Sequence, residues 1–346
     1  GYIPFTELPQ AFDPADGVLA TANARVTLDG YRYPITLNWM APYRTERIYK
    51  VLEANPIHKL TAPDMLALQT DVFSELDQVI AQRLAYSIDH STGPLKDDKQ
   101  LHQAADLLRK WNGNVDASAA APAIVNVSRT AIWPMLLIPK LAPQLADQIV
   151  QGTDLSKIKS PSPEVAQAAN LWRFYTWGER ASVEEQMLTH TPARWLPPGY
   201  ATWEDFLAAV VKRGLRDARA PNDLTTWQQG KAFPLNIQHP IFSRAAMVEQ
   251  RLIGARTSTG PQSQSGDGTT VRQAGAAFGP SERFTADLGD PDRTSLNIVL
   301  GESGNPLSPW FMDQFHDWLS GTTYPLPFNP ASIRAATTHA LTLNPR

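Results

Sequence analysis

Seven histidines, His58, His90, His102, His190, His239, His316 and His339, are the first side chains to test for acid–base or metal chemistry. None lies at HExxH or HxH spacing, so they predict no metal site, and each reads as a surface or satisfied core histidine. The chain has no cysteine, which excludes thiolate nucleophiles, thiolate metal sites and disulfides. Gly301-Glu302-Ser303-Gly304 approaches the G-x-S-x-G turn that presents a serine nucleophile. Its second glycine comes one place early, and a tight turn is the better reading. The acid pairs Asp64 with Asp71 and Glu184 with Glu185 lie in helical patterns, where a solvated face outweighs a general acid/base pair. Ten tryptophans could line a sugar-cleaving groove with a paired-carboxylate cleft, but core packing is their default role. P-loop, dinucleotide-binding and EF-hand patterns are absent.

The composition bounds what can carry such groups. With 346 residues, 42% hydrophobic and 19% charged, the chain suits one large domain or two moderate ones with a real core. Its net charge of −3, with both signs interspersed, lacks the basic footprint of a nucleic-acid binder. The longest apolar run, residues 131–138, is broken by Pro134 and falls short of the roughly 20 residues a spanning helix needs. No membrane span is therefore expected. The opening Gly1-Tyr2-Ile3-Pro4-Phe5 is neither an initiator methionine nor a signal peptide, which suggests a start inside a longer gene product or after a cleavage.

The pattern predicts an α+β chain in three stretches. Residues 1–42 look extended, with short strands at 18–22 and 25–28 around a bend at Asn23. Residues 43–256 form a helical block. A helix opens at Arg44. Thr61, Pro63 and Asp64 mark another start, followed by a helical period through Met65, Leu68, Val72, Leu76, Val79 and Ile80. Further helices are expected at 101–111, 121–141 with Pro134 as a kink, 163–179 and 203–213. Residues 257–346 begin with a long Gly/Ser-rich loop to about 279. Return strands at 283–288 and 296–300 follow, then a helix around 310–318. The strands at the two ends would pair in one sheet, or join a sheet completed by other residues.

Three ordered segments resemble the penicillin acylase (penicillin amidase) family of N-terminal-nucleophile hydrolases. The first runs from Gly1-Tyr2-Ile3-Pro4-Phe5 and Leu8-Pro9 into Ala20-Thr21-Ala22-Asn23-Ala24-Arg25-Val26. The second is Trp39-Met40-Ala41-Pro42-Tyr43-Arg44-Thr45-Glu46-Arg47-Ile48, with Asp64-Met65 and Gln69-Thr70-Asp71. The third is Gly301-Glu302-Ser303-Gly304-Asn305-Pro306-Leu307-Ser308-Pro309, then Asp313-Gln314, Trp318, Gly321 and Pro325-Leu326. Smaller agreements lie at Trp111-Asn112-Gly113, Gly266-Asp267-Gly268-Thr269-Thr270-Val271 and Asp290-Pro291-Asp292-Arg293. The matched region is the later part of the family's β subunit.

The resemblance implies an amide hydrolase acting on penicillin, cephalosporin or acyl-homoserine-lactone side chains. In that family an N-terminal serine attacks the amide carbonyl, with its own α-amine as base. The fold implied is the αββα sandwich, completed by the terminal strands. Asn23 matches the family's oxyanion-hole asparagine, although its other reading is a simple bend residue. Arg44 matches an arginine that orients polar groups of the active site, with a structural ion pair as its other reading. The nucleophile lies outside this chain, so the chain alone is expected to be inactive. Its partner would be the missing N-terminal portion, namely the α subunit and the start of the β subunit. The substrate would be a small acyl amide. No cofactor is expected in this chain. Calcium is possible in the complete enzyme, although Tyr33 stands near the one position here where the family has an acidic ligand. Glu302 and Trp310 replace residues that are commonly Gln and His. A periplasmic or secreted location follows from the resemblance. The alternative is a non-catalytic ligand- or partner-binding domain derived from the family.

Overall fold

The computed structural model describes residues 1–36, 38–54, 59–141, 180–244, 247 and 249–345. The expected helix at 163–179, and His58, lie outside them. Helices α1 (Tyr43–Glu53), α2 (Ala62–Gln69), α3 (Glu75–His90), α4 (Lys99–Arg109), α5 (Ala121–Leu141), α6 (Ala181–His190) and α7 (Trp203–Asp217) make the helical block. A single turn, α8 (Gln229–Ala232), follows them. Near the C-terminus come strands β1 (Glu282–Thr285) and β2 (Ser295–Ile298), helix α9 (Phe315–Ser320), strand β3 (Tyr324–Pro325) and helix α10 (Pro330–Ala336).

The core forms where apolar stripes of α3, α4, α5 and α7 meet, around Leu76, Ile80, Leu84, Leu101, Ile124 and Phe206. Gly214 of α7 lets that helix approach closely. A Cβ there would lie 2.6 Å from the Val127 carbonyl oxygen of α5. Helix α5 has the bounds expected for it, and by length and composition it is long and apolar enough to cross a membrane although Pro134 interrupts its apolar run. Of that stretch, Ala121–Lys140, 78% is buried inside the protein.

Caps set the helix boundaries. Thr202 Oγ1 accepts from Asp205 N (3.1 Å) and starts α7 at the predicted place. Asp98 Oδ1 accepts from Gln100 N and Leu101 N and starts α4 two residues before the expected 101. The period from Met65 to Ile80 does not make one helix. Residues 72–74 turn extended, and their backbone bonds with 113–115, Val115 N to Val72 O and Ser74 N to Gly113 O, each 2.9 Å. Ser74 Oγ then accepts from Asp77 N and opens α3. A pairing with a distant segment of the same chain has overridden the helical period.

Both C-terminal strands form, but each is shorter than read, β1 ending at Thr285 instead of 288 and β2 at Ile298 instead of 300. β1 pairs antiparallel with β2, with Phe284 opposite Leu296, and β3 joins on the other edge of β2. The N-terminal strands do not form. Among the described residues none of 1–36 or 38–42 is in a strand. A strand is stable only with a hydrogen-bonding neighbour. Here Ala20 N and Ala22 N donate to Tyr49 Oη (3.3 Å) and Thr45 Oγ1 (2.9 Å) of α1 instead. The small sheet therefore holds C-terminal strands alone. The expected helix at 310–318 starts only at Phe315, because Ser303, Asn305 and Ser308 side chains cap successive turns before it. Trp318 of α9 is buried, and its indole donates to Pro280 O (2.8 Å).

Candidate active site

Asn23 and Arg44 meet. Asn23 has a positive φ of 68°, in the left-handed region that an asparagine tolerates better than most residues. Its carbonyl accepts from Met40 N (3.1 Å), in the turn leading to α1. Together with the Ala22 bond to Thr45, this fastens segment 20–23 to the start of that helix. Arg44, the second residue of α1, is 9% exposed and donates from Nη2 to Asn23 Oδ1 at 2.9 Å. Burial lowers the Arg44 guanidinium pKa from its ordinary value. An arginine stays charged at neutral pH regardless, and offers only donors. It therefore demands the oxygen of the Asn23 amide on its side and turns the two Nδ2 hydrogens away. Asn23 itself is exposed. The pair thus leaves an oriented amide donor facing outward.

Behind this pair lies a buried charge cluster that the sequence reading missed. Arg129 of α5 donates from Nη1 to Asp77 Oδ1 (2.8 Å) and from Nη2 to Glu184 Oε2 (3.0 Å). Glu184 is 1% exposed and Asp77 3% exposed, so the expected solvated face at Glu184 is corrected. Helix packing turns Glu184 inward to neutralise Arg129, since a buried charge needs a partner. Its neighbour Glu185 accepts from the Tyr43 hydroxyl (2.5 Å), and burial followed by this bond raises the Tyr43 pKa. Asp71 is likewise engaged, by Arg47 (2.6 Å), while Asp64 accepts from Thr61 N (2.8 Å) at the start of α2.

Asp77 also faces Asp267, on the Gly/Ser-rich loop. Burial first, then the charge of Asp267, push the Asp77 carboxyl well above the usual carboxylate range against the pull of Arg129. Burial alone would lower the Arg129 pKa, but Glu184 and Asp77 outweigh it and raise it. The loop reaches this place through Gly266 N to Val115 O and Arg272 N to Asp71 O, each 2.8 Å. Gly266 has φ +92°, and a Cβ there would lie 2.3 Å from the Arg272 carbonyl oxygen, so glycine is required. A signal for this contact was present in the sequence, because Asp77 sits between Leu76 and Ile80 on an apolar stripe, where an acid needs a partner.

Other candidates do no such work. Ser303 Oγ accepts from Asn305 N (3.1 Å) and so serves the turn expected of Gly301-Glu302-Ser303-Gly304. Tyr33 donates its hydroxyl to Glu7 Oε2 (2.7 Å), a bond that raises its pKa and keeps the phenol neutral. Among the described residues, no group of three or more His, Asp and Glu side chains is placed to hold a metal ion.

A family model described as penicillin amidase matches residues 1–335. An acyl-homoserine lactone acylase QuiP of Pseudomonas fluorescens (strain Pf0-1) is 25% identical, over 97% of this chain and 40% of that protein. A penicillin acylase 2 proenzyme of Pseudomonas sp. (strain SE83) is 24% identical, over 97% of this chain and 39% of that protein. The QuiP acylase of Pseudomonas aeruginosa strain PAO1 is 25% identical, again over 97% of this chain and 40% of its own length. The chain thus spans about 40% of the length of these relatives. These likenesses run through the segments that hold Asn23 and Arg44, and with the family match over residues 1–335 they establish that the chain belongs to the penicillin amidase family.

Proposed function

We propose that this chain is the later part of an acylase that hydrolyses acyl amides, of the β-lactam side-chain or acyl-homoserine-lactone kind, with Asn23 as an oxyanion donor. The observation that carries the reading is the 2.9 Å bond from Arg44 to Asn23 Oδ1, which fixes the amide with its donor hydrogens outward. The nucleophile in this reading is an N-terminal serine outside these residues, with its free α-amine as the base. As the carbonyl becomes tetrahedral, its oxygen gains charge. A fixed N–H donor then stabilises the transition state more than the ground state. Arg44 acts as a positioning residue in this scheme.

The partner proposed is the remaining polypeptide of the same enzyme. Exposed large apolar side chains in the first stretch support it, with Tyr2, Phe5, Phe12 and Leu28 between 79% and 103% exposed. Such residues gain stability by being covered. Hydrolysis of chromogenic phenylacetyl and long-chain acyl amides, by the complete protein and by this chain alone, tests the proposal. Turnover by the complete protein alone is expected. Turnover by this chain alone would place the nucleophile within it, and turnover by neither would end the acylase reading.

A further inference from the structure

The segment that carries Asn23 lies against α1 without belonging to a sheet. Val18 and Ala24 are buried, while Leu19, Thr21 and Asn23 between them are exposed. Val18 packs with Leu52, and Tyr49 lies against the same cluster. Ala20 N donates to Tyr49 Oη at 3.3 Å and Ala22 N to Thr45 Oγ1 at 2.9 Å. Thr45 and Tyr49, four residues apart on one helix face, are separated by about 6 Å along the axis. Two residues of extended chain, the spacing from Ala20 to Ala22, span about 6.6–6.8 Å. The two repeats nearly match, so two side-chain oxygens of α1 stand where the carbonyls of a neighbouring strand would.

This ladder sets where Asn23 stands. Thr45 holds the amide N–H of the residue before it, and Met40 N holds its carbonyl at 3.1 Å. The φ of 68° at Asn23 is a conformation that persists when the surroundings fix it. Arg44, adjacent to Thr45 in the first turn of α1, holds the side-chain oxygen. One helical turn therefore fixes the Asn23 backbone through Thr45 and the Asn23 amide through Arg44. Ser87, Ser128 and Thr130 turn their hydroxyls back onto the carbonyl four residues earlier, a bond that acts within the helix alone. The Thr45 hydroxyl oxygen instead serves the segment outside it.

We propose that Thr45 is a positioning residue for the hydrolysis, acting through Asn23, with Tyr49 as the second hold on the same segment. The proposal rests on the reading above in which Asn23 donates to the oxyanion. A misplacement of about 1 Å can cost roughly 10²-fold in rate, so a loosened hold on Ala22 acts on the chemical step.

The test measures kcat and KM of the complete protein on a chromogenic phenylacetyl amide. Thr45→Val keeps the branched shape and removes the acceptor, whereas Thr45→Ser keeps the acceptor. In Thr45→Val kcat is expected to fall about tenfold with KM within about twofold, and in Thr45→Ser to stay within about twofold of the unaltered protein. Added to Asn23→Ala, Thr45→Val is expected to lower kcat by less than about twofold more, because its effect passes through the Asn23 amide. Tyr49→Phe, which keeps the ring and removes the hydroxyl, stands in should Thr45→Val not fold, with an expected fall of about threefold that also disappears in Asn23→Ala. An unchanged kcat in the variant used, or an equal fall with and without Asn23, would overturn the positioning role and leave a structural clasp. A kcat unchanged by Asn23→Ala alone, or an unaltered protein that does not cleave the amide, would instead remove the oxyanion reading and this proposal with it.

Discussion

At the scale of single residues, Arg44 links the candidate chemistry to the packed interior. Its guanidinium is buried, and one of its nitrogens holds Asn23. Arg44→Ala should lower kcat of the complete protein about tenfold, because the Asn23 amide loses the bond that orients it. Arg44→Lys should recover part of this, since it restores a donor without the planar fork. Equal kcat in all three proteins would remove the orienting role. Asp77 makes a separate prediction. Its folded-state pKa lies above its unfolded value of about 3.9, so protonation favours the fold. That contribution is complete below the unfolded value and is lost as pH rises through the folded one. Asn mimics the protonated acid, so Asp77→Asn should flatten the fall in urea midpoint on the alkaline side of pH about 4. A parallel fall in both proteins would place the titrating group elsewhere. Asn23 and Arg44 were legible from the family resemblance. Glu184 was not, because a helical pattern does not say which face a tertiary cation will occupy.

At the scale of elements, short polar clasps decide where the helices start and how loops lie on them. Asp205, in the first turn of α7, accepts from Ser91 Oγ (2.8 Å), Thr92 N (2.9 Å) and Gly93 N (2.8 Å). It thereby fastens the chain leaving α3 to α7. Burial pulls the Asp205 pKa upward, but these bonds outweigh it and leave it lowered. Its contribution is thus present above the ordinary carboxylate range and lost as pH falls through the lowered folded value. Asp205→Ala should destabilise the chain by about 2 kcal/mol near neutral pH, with a smaller difference in acid, read from urea midpoints. An unchanged midpoint at pH 7 would show that the clasp holds nothing. The caps at Thr61 and Thr202 and the pair β1–β2 were legible because their signals are local. The break between α2 and α3 was not, since the competing pairing with residues 113–115 lies about 40 positions away in the chain. The N-terminal strands failed for the opposite reason, because β propensity without a neighbouring backbone does not make a strand.

At the scale of the whole molecule, a helical core supports a polar site at its rim. The interior packing of α3, α4, α5 and α7 makes one apolar cluster, whereas the described residues before α1 are held to it by a few hydrogen bonds and expose apolar side chains. The α+β character was readable from the pattern, and the charge cluster was not, since Asp77, Arg129, Glu184 and Asp267 are widely spaced in sequence and meet only when three helices and a loop are packed. The most direct measurement of the proposed chemistry is kcat of the complete protein on a chromogenic acyl amide, with and without the change Asn23→Ala. Loss of one oxyanion donor should lower kcat by about 10²–10³, which is about 2.7–4 kcal/mol, with little change in KM. A kcat equal to that of the unaltered enzyme would contradict the assignment and leave Asn23 as a residue of the bend alone.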